Sequence, residues 1–186
     1  MNKLFVIAAL AAAVATPALA GSITGEVRTI DPQPAKLANS TEYRLTYSET
    51  VANIANVGAE FTGSQPYHNG PLNSKIVLQG GPALPTVAGF TPAAYGEYGR
   101  SLNTNKDFNF WGYGASVSHE VYGPVSVNVG YRHRQGPNTP TFTEDRLNGG
   151  VAFAITEDNI VGVNYYRTRS NSVTSDILGV NYTRNF

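Results

Sequence analysis

Few residues of this sequence have the chemistry of a catalytic or metal site. The histidines are His68, His119 and His133, and there is no cysteine. One histidine lies in the run Ser118-His119-Glu120, which holds the nucleophile, base and acid types of a hydrolytic triad. Adjacent residues of a strand point to opposite faces of its sheet, so these three side chains cannot converge if the run is extended. We therefore interpret the run as a strand end and not as a catalytic site.

The composition argues against other kinds of site. No cluster of His, Cys or Asp has the spacing of a metal site, and no glycine-rich phosphate loop follows a strand and opens a helix. Basic and acidic residues balance at 13 each, which gives no electrostatic footprint for nucleic acid. Charged residues make up 14% of the chain, against about 25% in ordinary soluble domains. We expect no metal, no cofactor and no nucleic-acid partner, and we expect a sheet with one face in lipid.

Alternation of apolar with small or polar residues identifies the elements that would position any site. From Val125 to Tyr131 every second residue is apolar, and the residues between them are small or polar. This period of two is typical of strands, because successive side chains point to opposite faces. The segments with this pattern are 22–30, 41–49, 54–63, 108–120, 125–134, 146–156, 160–169 and 176–186. The sequence therefore predicts an all-β protein of about eight antiparallel strands, each near the 9–11 residues of a tilted membrane strand.

The first 20 residues have the pattern of a secretory signal peptide. Lys3 supplies a basic start, residues 4–14 are apolar, and Ala18-Leu19-Ala20 is a cleavage motif. The apolar run is too short to span a membrane, and Pro17 follows it. We expect cleavage after Ala20, which leaves residues 21–186 as one barrel domain outside the cytoplasm.

The last predicted strand carries a further pattern. Its outward positions are Leu178, Val180, Tyr182 and Phe186, and only Arg184 breaks the apolar series. This segment resembles the terminal strand that bacterial outer-membrane β-barrels present to their assembly machinery. The whole predicted chain is similar to the small eight-stranded outer-membrane barrels, such as the OmpA transmembrane domain and OmpX. The resemblance implies a closed up-and-down barrel in the bacterial outer membrane, inserted by that machinery.

The two faces of the predicted strands differ in the kind of side chain that they carry. One face is charged or amide-bearing, and we predict that its residues form a polar network in the lumen: Glu26, Arg28, Glu42, Arg44, Glu60, Asn128, Arg132 and Arg146. The other face carries an aromatic girdle that we expect to contact lipid: Tyr43, Phe61, Trp111, Tyr131 and Tyr165. A soluble lipocalin-like barrel has the same alternation but buries its apolar face. The small, charge-paired polar face, together with the secretion signal, favours the membrane barrel.

The connections between predicted strands alternate in length. Segments 50–53, 121–124 and 157–159 are short, whereas 31–40, 64–107, 135–145 and 170–175 are longer. Outer-membrane barrels have short periplasmic turns and longer external loops, so we expect a long external loop at about 64–107. This loop either forms an extended hairpin above the membrane, with Lys75–Gln79 as one arm, or is mobile.

These features favour a structural or surface-interaction role, in which loops recognise an external partner that the sequence does not identify. Rim arginines at positions 132, 134, 146, 167 and 169 could contact lipopolysaccharide phosphates, which arginine binds in two-pronged fashion. The alternative is a narrow, porin-like conduit. A lipid A-modifying enzyme is the weakest candidate. The resemblance implies a His and a Ser two residues apart for the deacylases, but Gln135 follows His133 at that spacing. We therefore expect no enzymatic activity.

Overall fold

Ten antiparallel strands form the protein in a computed structural model that describes residues 21–33, 39–66, 73–103, 107–136, 142–171 and 173–186. The predicted signal peptide, residues 1–20, lies outside the described residues. The strands are β1 (Ser22–Gln33), β2 (Ser40–Val51), β3 (Ala55–Pro66), β4 (Asn73–Pro82), β5 (Phe90–Leu102), β6 (Phe108–Tyr122), β7 (Val125–Gln135), β8 (Thr143–Ala154), β9 (Asn159–Ser170) and β10 (Val173–Asn185). Among these described residues there is no helix long and apolar enough to cross a membrane.

Each strand pairs with its neighbours in sequence, and β1 pairs with β10 to close the barrel. The closing pair runs from Ser22 opposite Asn185 to Gln33 opposite Thr174. Closure leaves no unpaired sheet edge, and lipid would not tolerate an unpaired edge because it offers no hydrogen-bond partners. The predicted class, a closed up-and-down barrel, is therefore confirmed.

The predicted number of about eight strands is wrong, because the structure has ten. The two additional strands, β4 and β5, come from the segment that we expected to be a long external loop at about 64–107. In β4 the inward position Val77 is apolar and fully buried, so apolar residues occupy both faces and the alternation disappears. Gln79, expected in a loop arm, pairs with Gly58 and Glu97 inside the sheet.

The two ends of the barrel differ in their connections. At the end that we call the turn end, residues 52–54, 83–89, 123–124 and 155–158 connect the strands, and Gly21 and Phe186 lie there together. Gly123 in the shortest of these turns has φ +51°, a conformation that glycine adopts without strain. The opposite end, which we call the loop end, carries the five remaining connections, between β1 and β2, β3 and β4, β5 and β6, β7 and β8, and β9 and β10. Without the expected long loop, the difference in length between the two ends is smaller than predicted.

The outer surface of the barrel is apolar. A row of valines crosses five neighbouring strands in direct register: Val27, Val180, Val163, Val151 and Val127. All five side chains are exposed, as a face in contact with lipid requires. The eight strands predicted from sequence have the predicted faces inside and outside.

Candidate functional site in the lumen

The loop-end half of the lumen is filled by charged side chains. We call this set the ionic barrier, and its members are Arg28, Arg44, Arg132, Arg134, Arg146, Glu26, Glu42, Glu60, Glu97 and Glu144. All except Arg44 are buried, with exposed fractions of 1–7%. The five arginines and five glutamates of the barrier cancel in formal charge, and Lys75, on the lumen face of β4 near Glu42 and Glu144, adds one positive charge beside them. Pairing of this kind is required, because an unpaired buried charge costs several kcal/mol, about 3–5 when one partner is removed.

Two arginines of the barrier each make two hydrogen bonds to carboxylates. Arg134 donates from Nε and Nη2 to the two oxygens of Glu97, at 2.6 and 3.1 Å. Arg28 donates to Glu26 and to Glu42, both at 2.8 Å, and its guanidinium lies 4.3 Å from the ring centroid of Tyr166. These two-pronged or double contacts fix the planar guanidinium groups in place.

Glu60 links the two sides of the barrier. Its Oε2 accepts a hydrogen bond from Arg44, and its Oε1 lies 3.5 Å from Arg134. Arg132 is farther away, with its Nη1 3.9 Å from Glu60 Oε2. Glu60 therefore joins β2 and β3 electrostatically to β7 across the lumen.

Arg132 and Arg146 both face the same carboxylate, that of Glu144. Arg132 donates to Glu144 at 3.0 Å, and Arg146 donates from Nε to the Thr168 hydroxyl, also at 3.0 Å. The same Glu144 oxygen lies 3.6 Å from Arg146 and 3.7 Å from Arg134, so one carboxylate faces three guanidinium groups. Positive charge is therefore in local excess on the β7–β8 side.

The turn-end half of the lumen contains small, uncharged polar groups. Asn128, Asn148 and Asn164 form a chain in which amide groups donate to amide oxygens at 3.4 and 3.5 Å. The hydroxyls of Thr24 and Thr183 lie 2.8 Å apart across the β1–β10 seam. This half offers hydrogen-bond donors and acceptors without formal charge.

Glycines make room for these amides. The pattern Asn-x-Gly or its reverse occurs on four successive strands: Asn128-Val129-Gly130, Asn148-Gly149-Gly150, Gly162-Val163-Asn164 and Gly179-Val180-Asn181. The amide oxygens of Asn148, Asn164 and Asn181 occupy the places where Cβ atoms of the glycine on the preceding strand would lie. We call this arrangement the asparagine–glycine staircase. It holds the amides close to the barrel wall.

Two cavities occupy the turn-end half. The inner cavity has a volume of about 370 Å³ and reaches the barrier at Glu26, Arg44, Arg132 and Arg146. The outer cavity has a volume of about 630 Å³ and lies at the turn end, between the residues around Ser48 and Phe186. Tyr95, which lies over Gly114, lines both cavities. The two cavities therefore lie between the turn end and the barrier, with Tyr95 at their boundary.

The structure places all eight residues of the predicted lumen network inside the barrel, where the seven charged ones join the ionic barrier and Asn128 joins the staircase. The five girdle residues lie on the outer surface, each at least 36% exposed. Leu178, Val180, Tyr182 and Phe186 are exposed on the outer face at the end of the chain, and Arg184 lies among them with its guanidinium 5.5 Å from the Phe186 ring centroid.

Sequence reasoning missed three barrier residues. Glu97 and Glu144 fell in segments interpreted as loops, and Arg134 was assigned to the rim. Arg132, Arg134 and Arg146 are therefore not rim residues that contact lipopolysaccharide, because their side chains are buried among lumen carboxylates. The parity of β7 was a usable signal, since Arg132 and Arg134 are two residues apart and must share a face.

The described histidines lie on the outside of the barrel. His119 stacks on Phe90 with ring centroids 4.3 Å apart, and its Nδ1 lies 2.9 Å from the Gly89 carbonyl. Its neighbour Ser118 belongs to the opposite, lumen face, since it pairs with Asn128, so the two side chains do not converge. His133 and the Tyr131 hydroxyl both contact Asp145 Oδ1, at 2.9 and 2.6 Å, near the loop end. His68 lies outside the described residues.

Comparison with known proteins gives similarity in structure only. No protein-family model matches the sequence, and no curated protein matches it either. The β-domain of the Bordetella autotransporter BrkA is similar over 90% of this chain and 100% of that chain, with a TM-score of 0.56 and 9% identity. The NanC porin is similar over 87% of this chain and 100% of that chain, with a TM-score of 0.52 and 10% identity. The fold is thus that of bacterial outer-membrane β-barrels, and its ten strands depart from the eight-stranded OmpA and OmpX group.

Proposed function

We propose that this protein is an integral outer-membrane β-barrel that forms a narrow pore, closed in this state by the ionic barrier. The observation that carries the proposal is the lumen itself. It holds two cavities between the turn end and the ionic barrier, and it is closed farther along by side chains from the barrel wall. The exposed valine row and the aromatic residues near the loop end support a membrane position.

The chemistry of the barrier favours a pore over a purely structural barrel. Buried ion pairs contribute little net stability, and well-packed apolar residues in their place are often neutral or stabilising. A barrel with only a mechanical role would gain nothing from ten buried charges. A set of paired side chains, in contrast, can exchange partners and open a path without any change in the sheet.

Conductance in planar bilayers tests this proposal. We expect low or intermittent conductance from the wild-type protein. The double variant Arg134→Ala with Glu97→Ala removes one ion pair without changing the net charge, and we expect it to raise the conductance severalfold. The control is Tyr131→Phe, which changes only the outer surface. A double variant that folds and conducts no more than the wild type would refute the pore.

A second role, contact with lipopolysaccharide, is favoured by Arg167 and Arg169. Both are exposed on the outer face of β9 near the loop end, beside the girdle residue Tyr165. Phosphate groups of a lipid headgroup would meet these guanidinium groups at the membrane surface. We expect Arg167→Gln with Arg169→Gln to reduce the lipopolysaccharide that co-purifies with the barrel. Arg184→Gln, an exposed arginine at the other end, is the matched control and should retain the wild-type amount.

The orientation proposed here places the turn end in the periplasm. Asp107 is exposed at the loop end and Asp158 at the turn end. On intact cells we expect a membrane-impermeant thiol reagent to label Asp107→Cys and not Asp158→Cys. Labelling of Asp158→Cys and not of Asp107→Cys would show that the barrel has the opposite orientation in the membrane.

The outer face of β10 is the proposed contact with the barrel assembly machinery. Its exposed residues Leu178, Val180, Tyr182 and Phe186 form the hydrophobic series that the sequence suggested. Deletion of Phe186 should lower the amount of protein in the outer membrane while leaving refolding in detergent intact. Equal amounts of the wild-type and truncated proteins in the outer membrane would refute this role for Phe186.

A further inference from the structure

We infer that the inner cavity binds a small organic anion that carries both a carboxylate and hydroxyl groups, and that this ligand enters from the turn end. The inference goes beyond the proposed pore, since a ligand can bind in this cavity whether or not the barrel conducts. The volume of about 370 Å³ lies in the usual range of small-molecule sites, about 300–1,000 Å³.

The charges that line the cavity do not balance. The ionic barrier is neutral as a whole, but the charged residues that line the inner cavity are Arg44, Arg132 and Arg146 against Glu26 alone. Glu97 and Glu144 do not line it. Glu60 and Glu144, which pair with Arg44 and Arg132, do not line the cavity, so the surface that a ligand would meet carries three guanidinium groups and one carboxylate.

The lining arginines also have unused hydrogen-bonding capacity. Arg132 and Arg146 lie directly opposite each other on β7 and β8, with exposed fractions of 5% and 6%. Like charges in this position are destabilising. The buried side-chain nitrogens without a hydrogen-bond partner among the described residues are Arg44 Nε and Arg132 Nε at the cavity, and Arg28 Nη2 away from it. Arg134, whose Nε and Nη2 are both bonded to Glu97, shows how a carboxylate satisfies an arginine in this lumen.

The uncharged polar residues that line the cavity favour hydroxyl groups on the rest of the ligand. Below the arginines, amides and hydroxyls line the cavity, among them Asn128, Asn164, Asn181, Thr46 and Ser116. These groups donate and accept hydrogen bonds, as a polyhydroxylated ligand requires. An uncharged sugar would leave the arginines unsatisfied, and a simple inorganic anion would leave the amides unused.

The route of entry passes Tyr95, which lines both the outer and the inner cavity. On the other side of the inner cavity the ionic barrier closes the lumen. A ligand would therefore reach the arginines from the turn end.

Titration calorimetry on the refolded, full-length mature protein in detergent tests the site. The probes are D-glucuronate, D-glucose as its uncharged counterpart and inorganic phosphate as an anion without carbon-bound hydroxyls. We expect D-glucuronate to bind at least ten times more tightly than either of the other two. Arg132→Gln should weaken D-glucuronate binding at least tenfold, whereas Arg184→Gln on the outer surface should not change it.

A second variant avoids the ion pairs, in case Arg132→Gln does not fold. Ala152 lines the cavity, and Ala152→Phe would fill it without touching any charged residue of the barrier. The control is Ala59→Phe on the outer face of β3. Folding is checked by the shift in electrophoretic mobility on heating.

Three results would overturn the inference. They are no saturable D-glucuronate binding by the folded wild type, unchanged binding in Ala152→Phe, and D-glucose or phosphate binding as tightly as D-glucuronate. A barrel that binds D-glucuronate but conducts in none of its variants would refute the pore and support this site. The two proposals therefore fail separately.

Discussion

The polar side chains in the two halves of the lumen find their interaction partners in different ways. The loop-end half uses the ten formal charges of the ionic barrier, which are held in direct contact and, except for Arg44, buried. The turn-end half uses amides and hydroxyls around open volume. Charges need partners at short range because water is absent, whereas neutral groups can leave some of their bonds to solvent. The comparison shows that one fold can carry a closed section and a hollow section in series.

The largest expected effect comes from removing one charge of the barrier. Arg134→Met leaves Glu97 buried without its two-pronged partner, so we expect a loss of about 3–5 kcal/mol in the free energy of unfolding. Asn128→Ser in the turn-end half removes only neutral hydrogen bonds and should cost about 1 kcal/mol or less. Urea denaturation in detergent micelles measures both. Similar losses for the two variants would mean that the halves do not differ as described.

The next prediction compares substitutions at two adjacent residues of β7, one on the outer face and one in the lumen. Val127 lies in the exposed valine row, and Asn128 beside it points into the lumen. Val127→Arg should destabilise the barrel by about 2–4 kcal/mol, the cost of a lipid-facing arginine near the midplane. Refolding into lipid vesicles provides the measurement, with Asn128→Ser again as the tolerated neighbour. If Asn128→Ser proved the more damaging, the apolar face would be inside the barrel.

The smallest effect tests the staircase of the turn-end half. A Cβ on Gly150 would collide with the Asn164 amide, so Gly150→Ala should cost about 1–3 kcal/mol. Gly149→Ala, one residue away on the outer face, meets its nearest atom at an ordinary 3.7 Å and should be close to neutral. Combining Gly150→Ala with Asn164→Ser should recover part of the loss, because the colliding amide is gone. Strictly additive losses in the double variant would show that the two residues do not interact.

Strand faces were predictable wherever the alternation was strict. In β7 the valines and Tyr131 alternate with small or polar residues, and the structure has the same faces. β4 and β5 were not predicted as strands because the buried Val77 faces inward in β4, and because Pro92 and two glycines weaken the strand signal in β5. The number of strands was therefore underestimated.

The pairing of charges inside the lumen was not predictable in the same way. That Arg132 faces inward follows from parity, but its partner Glu144 depends on where β8 begins. The Arg134–Glu97 pair joins residues 37 positions apart, which meet only because the barrel includes β5. Alternation fixes which face a residue occupies, whereas the register between strands fixes which residue it meets.

The staircase also bears on how the barrel reaches its correct register during folding. A shift of one residue in the register between neighbouring strands is strongly unfavourable, because it would turn the outward valines of one strand into the lumen. A slip of two residues keeps all faces correct, so hydrophobicity cannot detect it. In β9 and β10, however, such a slip would set Asn181 opposite Asn164 or Ile160 instead of opposite Gly162, over which its amide oxygen lies. The alternation of large and small inward residues thus favours the native register over a register shifted by two residues, which would keep the same faces inside and outside.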